Sequence, residues 1–231
     1  MKKAFMGWSG GKDCTLALHK VIHEKELEVT CLLTNVSSET NRVSMHGVRR
    51  ELITLQEQAI GIRGRKVYLP KNNTYELYNR YMENECKLMK LKGNEIGVFG
   101  DIFLQDLKKY REDQLAKVEM KGCFPLWNLG SKEVYRQFVE LGYKAMIICV
   151  HSEKLGKEFL GKVLDLNLLN DFPAGVDCCG ENGEFHTFCF SGPIYRNPVP
   201  FKNGETVYKT YPNPIEKGES GFYFLDLLPG L

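Results

Sequence analysis

A glycine-rich stretch near the amino terminus most constrains the fold of this chain. It lies between an apolar run at residues 3–8, which predicts a β-strand, and an amphipathic stretch at residues 13–26, which predicts a helix. Glycines at such a turn let the backbone approach an anion closely, and free amide groups at the start of the helix point toward it. The stretch therefore predicts an α/β fold with a phosphate site at the end of the first strand.

The side chains of this turn suit a nucleotide phosphate. In chain order the turn contains Ser9, Gly10, Gly11, Lys12, Asp13 and Cys14. Hydroxyl groups can donate hydrogen bonds to phosphate, and Lys12 adds a positive charge. Asp13 by itself would repel phosphate, so its presence indicates that Mg²⁺ lies between them. We therefore expect a bound phosphate group, with Asp13 as the ligand of the metal ion beside it.

Two common phosphate-binding motifs do not fit the spacing of this turn. A Walker A loop would need glycine at Met6 and serine or threonine at Asp13. The GxGxxG dinucleotide motif also fails, because the glycines stand at positions 7, 10 and 11. A glycine-rich turn without a ligand is the structural alternative.

The rest of the chain divides into two patterns. Through residue 122, short apolar runs alternate with helical stretches, which predicts a parallel sheet with helices on both faces. Beyond it the pattern loosens and becomes rich in glycine and proline, which predicts a smaller α+β part over residues 123–231. The predicted strands cover 3–8, 27–35, 66–69, 95–100 and 144–150, and the predicted helices cover 13–26, 46–60, 74–92, 104–120 and 131–141, the last capped by Ser131.

Composition and charge narrow the compartment and the partners. The chain has 43% hydrophobic residues and a formal charge of +2, from 31 basic and 29 acidic residues, which gives no electrostatic argument for nucleic acid. No run approaches the ~18 apolar residues of a membrane span, and the amino terminus is unlike a signal peptide. We predict a cytoplasmic protein with neither membrane nor nucleic acid as a partner. The eight scattered cysteines predict buried, reduced thiols.

A second polar segment lies at residues 177–188. It brings Glu181, Glu184, His186 and Thr187 close together around two glycines. On a strand, Glu184 and His186 would share one face because of the two-residue period. Such a group could position ammonia, accept a proton or hold the polar end of a substrate. A charged hairpin with a surface histidine is the alternative.

Together the two segments resemble the diphthine–ammonia ligase family of the N-type ATP pyrophosphatases, in the PP-loop superfamily. The turn is similar to the SGGxDS loop of that superfamily, with Cys14 in place of the serine. Further similar stretches are 45–49, 99–102 and 125–127, so the resemblance covers residue 3 to about residue 195. Where the archaeal and eukaryotic enzymes typically read EGGE-[FY]-ET, this chain has His186. In this respect the chain resembles the bacterial branch of the family. A link to cobalamin salvage has been proposed for that branch, and diphthamide is not its expected target.

The resemblance implies a fold, a reaction and a set of residues. The fold would be a Rossmann-like adenine nucleotide alpha hydrolase domain. The reaction would be amide formation: ATP gives pyrophosphate and an acyl-adenylate, and ammonia attacks the acyl-adenylate and releases AMP. The acceptor would be a small-molecule or protein-borne carboxylate. A homodimer is the family-level expectation. The implied ATP-binding residues are Ser9, Gly10, Gly11, Lys12, Asp13, Cys14, Thr34, Asn35 and Asp101, and the implied catalytic residues are Lys12, Asp13, Glu181, Glu184 and His186.

Several alternatives remain open at this stage. Asp101 could cap a helix instead of binding the nucleotide or metal, and His46 could belong to the site or simply begin a helix. The chemistry could be sulfur transfer, with Cys178 or Cys179 carrying a persulfide. The chain could also be a non-catalytic nucleotide-binding module.

Overall fold

The amino-terminal part of the chain forms a parallel sheet, as predicted, and it has five strands, of which the last, at residues 121–123, is not predicted by the sequence pattern. The computed structural model describes residues 1–71, 74–212 and 218–230. The strand order is β3-β2-β1-β4-β5, and every neighbouring pair is parallel. The strands are β1 Lys2–Gly7, β2 Leu27–Ser37, β3 Gly64–Leu69, β4 Ile96–Val98 and β5 Lys121–Cys123. Since the order reverses on either side of β1, the carboxyl end of β1 is where a ligand of an open α/β sheet binds.

The helices between these strands agree with the sequence pattern except at two starts. They are α1 Lys12–Glu24, α2 Arg50–Ile60, α3 Tyr75–Leu91, α4 Gln105–Ala116 and α5 Ser131–Glu140, followed by the short α6 Leu168–Asp171. The prediction that α2 begins at His46 is wrong, because the preceding residues form a tight loop in which Val43 N donates to Val48 O at 2.8 Å. The predicted cap of α5 is also wrong: Gly130 precedes the helix, and Ser131 is its first residue.

The carboxy-terminal part contains a second, antiparallel sheet. Its order is β7-β6-β9-β8, and its strands are β6 Lys144–His151, β7 Phe185–Ser191, β8 Phe201–Pro212 and β9 Glu219–Pro229. This arrangement confirms the expected smaller α+β part. Among the residues that the structure describes, no helix has the length and apolar character needed to cross a bilayer.

One hydrophobic core joins the two parts. Leu16 of α1, Phe138 of α5, Ile147 of β6 and Phe188 of β7 are all fully buried in the same cluster. Burying such a side chain contributes roughly 1.5–3 kcal/mol. The start of α1 is therefore held rigidly against β7, which brings the glycine-rich turn and the second polar segment together.

Candidate active site

The glycine-rich turn is held from two sides. Gly10 has a φ of 81°, which favours glycine, and an added Cβ would lie 2.6 Å from Gln56 Oε1. The carbonyl oxygen of Gly10 accepts hydrogen bonds from Gln56 Nε2 of α2 at 2.9 Å and from Cys189 N of β7 at 2.8 Å. These bonds fix the loop conformation before any ligand binds.

Lys12 and Asp13 form a buried ion pair at the start of α1. The side chain of Lys12 is 2% exposed, and its Nζ lies 2.8 Å from Asp13 Oδ2 and also donates to the Cys179 carbonyl. Burial alone would lower the pKa of Lys12, but the charge and hydrogen bond of Asp13, together with Cys179 and Glu181, outweigh this and raise the pKa. Lys12 therefore stays protonated and can neutralise phosphate charge.

The second carboxylate oxygen of Asp13 is free to bind a ligand. Oδ1 is buried and has no hydrogen-bond partner among the described residues, and burial raises the pKa of this carboxyl against the effect of Lys12. A buried oxygen without a partner calls for an explanation, and Mg²⁺ commonly binds through one carboxylate together with phosphate oxygens. No group of three or more possible metal-binding side chains occurs in the ranges described, so a complete protein cage is not formed there. Asp13 thus fits a magnesium ion shared with a nucleotide.

The thiol of Cys14 interacts with the turn itself. Its Sγ donates to the Gly11 carbonyl at 3.2 Å and lies 3.5 Å from Ser9 Oγ. Burial raises the pKa of this thiol, so it stays protonated. Cys14 therefore stabilises the turn, while Ser9 and the backbone amides remain the groups available to phosphate.

A cavity of about 590 Å³ opens over the turn. This volume lies within the usual range of a small-molecule site. Its lining includes nine of the residues predicted from the sequence: Ser9, Gly11, Lys12, Asp13, Cys14, Asn35, Asp101, Glu181 and His186. Three predicted residues, Gly10, Thr34 and Glu184, do not contribute to the lining.

The end of β2 forms one wall of the cavity. Asn35 lines it and donates from Nδ2 to Tyr78 OH of α3 at 3.3 Å, while its Oδ1 has no partner in the described part of the chain. Thr34 is fully buried and does not line the cavity. Sequence reasoning missed Tyr78 and Met82, which also line this wall. Their signal is weak, because α3 reads as an ordinary amphipathic helix.

Asp101 pairs with Arg111 of α4. Arg111 Nε lies 2.7 Å from Asp101 Oδ2, and both residues line the cavity. The helix-cap alternative is wrong, since α4 begins after Leu104 without a side-chain cap. The pair places a guanidinium at the cavity wall, stacked 4.4 Å from the centroid of the Phe99 ring.

The turn before β7 contains two carboxylates with different roles. Glu181 lines the cavity and accepts from Ile102 N at 2.9 Å; burial, together with Asp13, raises the pKa of Glu181 to about 7. Glu184 instead accepts from Asp177 N at 3.1 Å and from Asn182 N at 3.0 Å. The expectation that Glu184 shares a strand face with His186 is not met, because Glu184 precedes β7 and its carboxylate holds the turn.

Two histidines from different elements meet in the cavity. The rings of His46, from the loop before α2, and His186 of β7 have centroids 4.2 Å apart and planes inclined by 31°. Burial lowers the pKa of His46 to about 4 and holds the pKa of His186 well below its ordinary value. Both imidazoles are therefore neutral at physiological pH. The functional alternative for His46 fits the structure, whereas the helix-start alternative does not.

Family models of known proteins match almost the whole chain. The model for the diphthamide synthase N-terminal domain matches residues 1–122, and the model for the diphthamide synthase C-terminal domain matches residues 130–217. This chain belongs to the diphthamide synthase family. The resemblance seen in the sequence is thereby confirmed, and membership makes the chain an ATP-binding, PP-loop enzyme of the ligase type.

The curated relatives of this chain include three vertebrate proteins named diphthine–ammonia ligase. The one from Homo sapiens is 25% identical over 228 residues, covering 86% of this chain and 82% of the relative; the one from Rattus norvegicus is 26% identical with the same coverage. The one from Danio rerio is 24% identical and covers 86% of each chain. The U34-tRNA thiolase NcsA from Methanococcus maripaludis overlays 62% of this chain and 57% of its own at 18% identity, with a TM-score of 0.37. This overlay is too limited to bear on the fold or the function of this chain.

The cysteines of this family member are all free thiols. Cys178 is 7% exposed and Cys179 is 2% exposed. Cys179 Sγ donates to Ser131 O at 3.2 Å, and burial raises the pKa of this thiol well above its ordinary value. A hydrogen bond with Cys179 lowers the pKa of Cys178, but a persulfide carrier also needs an accessible sulfur, and the burial of both thiols does not favour the sulfur-transfer alternative.

A carboxylate of β9 positions the loop that contains His46. Asp226 binds Arg49 through both oxygens, at 3.0 and 2.7 Å, and also binds Arg42 at 2.7 Å. Arg42 in turn donates to Gly47 O at 2.8 Å. The loop is therefore fastened to the second sheet on both sides of His46.

Removing this charge should loosen the loop in a pH-dependent way. Burial would raise the pKa of Asp226, but hydrogen bonds from Arg49 and Arg42 outweigh it and hold the pKa at about 2. The pKa of Asp226 is lower in the folded protein than in the unfolded chain, where it is about 3.9. The salt bridges therefore stabilise the fold fully above this unfolded pKa, and the stabilisation is lost as pH falls through the folded pKa. We expect Asp226→Asn to lower the free energy of unfolding by about 1–2 kcal/mol at neutral pH. Urea denaturation should show this difference shrinking below about pH 4; a difference that persists in acid would contradict the assignment.

Proposed function

We propose that this chain is an ATP-dependent amide-forming ligase. It cleaves ATP to AMP and pyrophosphate, transfers the adenylyl group to an acceptor carboxylate, and lets ammonia displace AMP from the acyl-adenylate. The observation that carries this proposal is that one cavity contains both the Lys12–Asp13 pair and the turn with Glu181 and His186. The names of the relatives support the choice of ammonia as the nucleophile.

The amino-terminal side of the cavity would bind the nucleotide. The hydroxyl of Ser9 and the backbone amides of Asp13 and Cys14 in the first turn of α1 would receive the phosphates, and Lys12 would neutralise part of their charge. Adenosine would lie along the wall formed by Asn35 and Tyr78. Mg²⁺, held by Asp13 Oδ1 and phosphate oxygens, would supply further charge neutralisation.

The carboxy-terminal side would bind the acceptor. Glu181 projects into the cavity with a pKa near neutrality, so it can exchange a proton with a reacting group. Glu184 contributes by holding the turn that presents Glu181 and His186. Positioning of the two substrates over one loop would supply most of the rate enhancement. The acceptor would be a small-molecule or protein-borne carboxylate.

The products of ATP distinguish this function from its rivals. Incubation of the protein with Mg²⁺, ATP, ammonium and a pool of carboxylic acids should yield AMP and pyrophosphate, measured by anion-exchange chromatography. ADP as the product, or no turnover, would exclude the proposed ligase. The double variant Cys178→Ser/Cys179→Ser should form AMP within about twofold of the parent rate, because neither thiol takes part; a loss beyond about 100-fold with the fold intact would favour sulfur transfer.

A further inference from the structure

The stacked histidines have free hydrogen-bonding capacity in the cavity. His46 Nδ1 lies 3.3 Å from the Ser44 carbonyl oxygen, which can only accept a hydrogen bond. Nδ1 of the neutral ring therefore carries the proton, and Nε2 is left as an acceptor. His186 stacks on this ring and makes no side-chain hydrogen bond within the described part of the chain. Each ring thus has a nitrogen available to accept an N–H from a ligand.

The electrostatic environment of the pair disfavours a cation. Lys12, on α1, lowers the pKa of both imidazoles in addition to the effect of burial. No carboxylate of the described residues raises either pKa: Glu181 accepts a hydrogen bond from Ile102 N, Asp13 pairs with Lys12, and Asp226 binds two arginines. A positively charged ligand held at the two rings would therefore lose hydration without gaining a counter-charge there.

The pair lies beside the reacting end of the proposed site. His186 precedes Thr187, whose Oγ1 accepts from the backbone amide of Lys12 at 3.0 Å. Both residues line the cavity together with the phosphate-binding turn. A small molecule hydrogen-bonded to the imidazoles would thus lie beside His186, which is next along β7 to Thr187, the residue that joins β7 to the turn.

From these observations we propose that His46 and His186 form a subsite that binds the nucleophile as neutral NH₃ and excludes NH₄⁺. The proposal deepens the amide-forming function and rests on it. Ammonia would donate N–H bonds to the bare ring nitrogens and keep its lone pair free, whereas ammonium has no lone pair to attack with. In the reaction the nitrogen forms a bond to the acyl carbon, the bond from that carbon to the AMP oxygen breaks, and AMP leaves with the electron pair. One proton leaves the nitrogen for water as the neutral amide forms.

Ring NMR of the histidines tests this directly, without the acceptor. The full-length protein, labelled with ¹⁵N in its five histidines, is titrated with ammonium chloride at about pH 7 and about pH 8, against potassium chloride at equal ionic strength. We expect the ring signals of His46 and His186 to shift, while those of His19, His23 and His151 do not. Because the NH₃ fraction rises about tenfold over this interval, the midpoint in total ammonium should fall about tenfold.

Each other outcome overturns the subsite. An unchanged midpoint would show that NH₄⁺ binds, an equal response to potassium would show a general cation effect, and no shift of His46 and His186 would show that neither form binds. In the variant His46→Asn the response of His186 should weaken by about tenfold, and in the matched control His151→Asn it should be unchanged. The two proposals fail separately: formation of AMP without the histidine response overturns only the subsite, and the response without AMP overturns only the ligase.

Discussion

Asp13→Asn is expected to reduce AMP formation by about 100-fold or more. The asparagine keeps the size of the side chain and can still accept a hydrogen bond from Lys12, but it lacks the charge that would attract Mg²⁺ to the phosphates. Lys12 retains the Cys179 carbonyl as an acceptor, so the turn should remain folded. The measurement is the initial rate of AMP and pyrophosphate release at saturating Mg²⁺, with thermal melting followed by circular dichroism.

A matched control is available on α4. Asp113 pairs with Lys109 at 2.9 Å on the exposed surface. Because exposed pairs of this kind contribute about 0.3–0.5 kcal/mol, Asp113→Asn should change neither the rate nor the melting temperature appreciably. A folded Asp13→Asn protein that forms AMP at the parent rate would refute the metal-binding role of Asp13.

Gly100→Ala is expected to damage both stability and nucleotide binding. Gly100 follows β4, and an added Cβ would lie 2.8 Å from the Asp13 carbonyl carbon and 2.9 Å from Cys14 N. These are backbone atoms at the start of α1, so they cannot yield without moving the phosphate-binding turn. Overpacking of this kind costs about 1–3 kcal/mol, and we expect affinity for ATP to fall about tenfold. Chemical denaturation and calorimetric titration with ATP measure the two effects.

Gly204→Ala serves as the control for this substitution. The φ angle of Gly204, like that of Gly100, lies outside the left-handed region. The atom nearest to a Cβ added at Gly204 would be Asp226 O, at 3.3 Å. We expect this variant to bind ATP as the parent does. If Gly100→Ala binds ATP equally well, the close approach of the two backbones is not needed for the turn to work.

The parts of the fold that local patterns control could be predicted from the sequence. The apolar run of β1, the glycines after it and the amphipathic face of α1 all favour the same strand–turn–helix unit, and the structure contains it. The parallel order of the first sheet follows from the strand–helix alternation. The residues of the turn, with the exception of Gly10, therefore line the cavity.

Residues that depend on tertiary contacts could not be predicted in the same way. The segment around His46 looks like the start of a helix, but the salt bridges from Asp226, about 180 residues away, hold it as a loop. The alternation rule for Glu184 fails because the residue belongs to a turn, where backbone amides compete for its carboxylate. Tyr78 and Arg111 reach the cavity only because α3 and α4 pack beside the first sheet.

The side chain of Gln56 has a consequence for how this enzyme can be divided. Its amide nitrogen donates both to Gly10 O and to Cys189 O, and its oxygen accepts from Trp8 Nε1 at 3.0 Å. One amide thus links the nucleotide turn, a helix of the first sheet and a strand of the second. A fragment ending at residue 122 would lack Cys189, so Gly10 O would lose the hydrogen bond from Cys189 N and Gln56 Nε2 would lose one of its two acceptors, and the glycine-rich turn would lose its preorganised shape. Neither half would then be a transferable nucleotide-binding module, and shuffling of the halves between relatives should succeed only when this three-way junction is carried across intact.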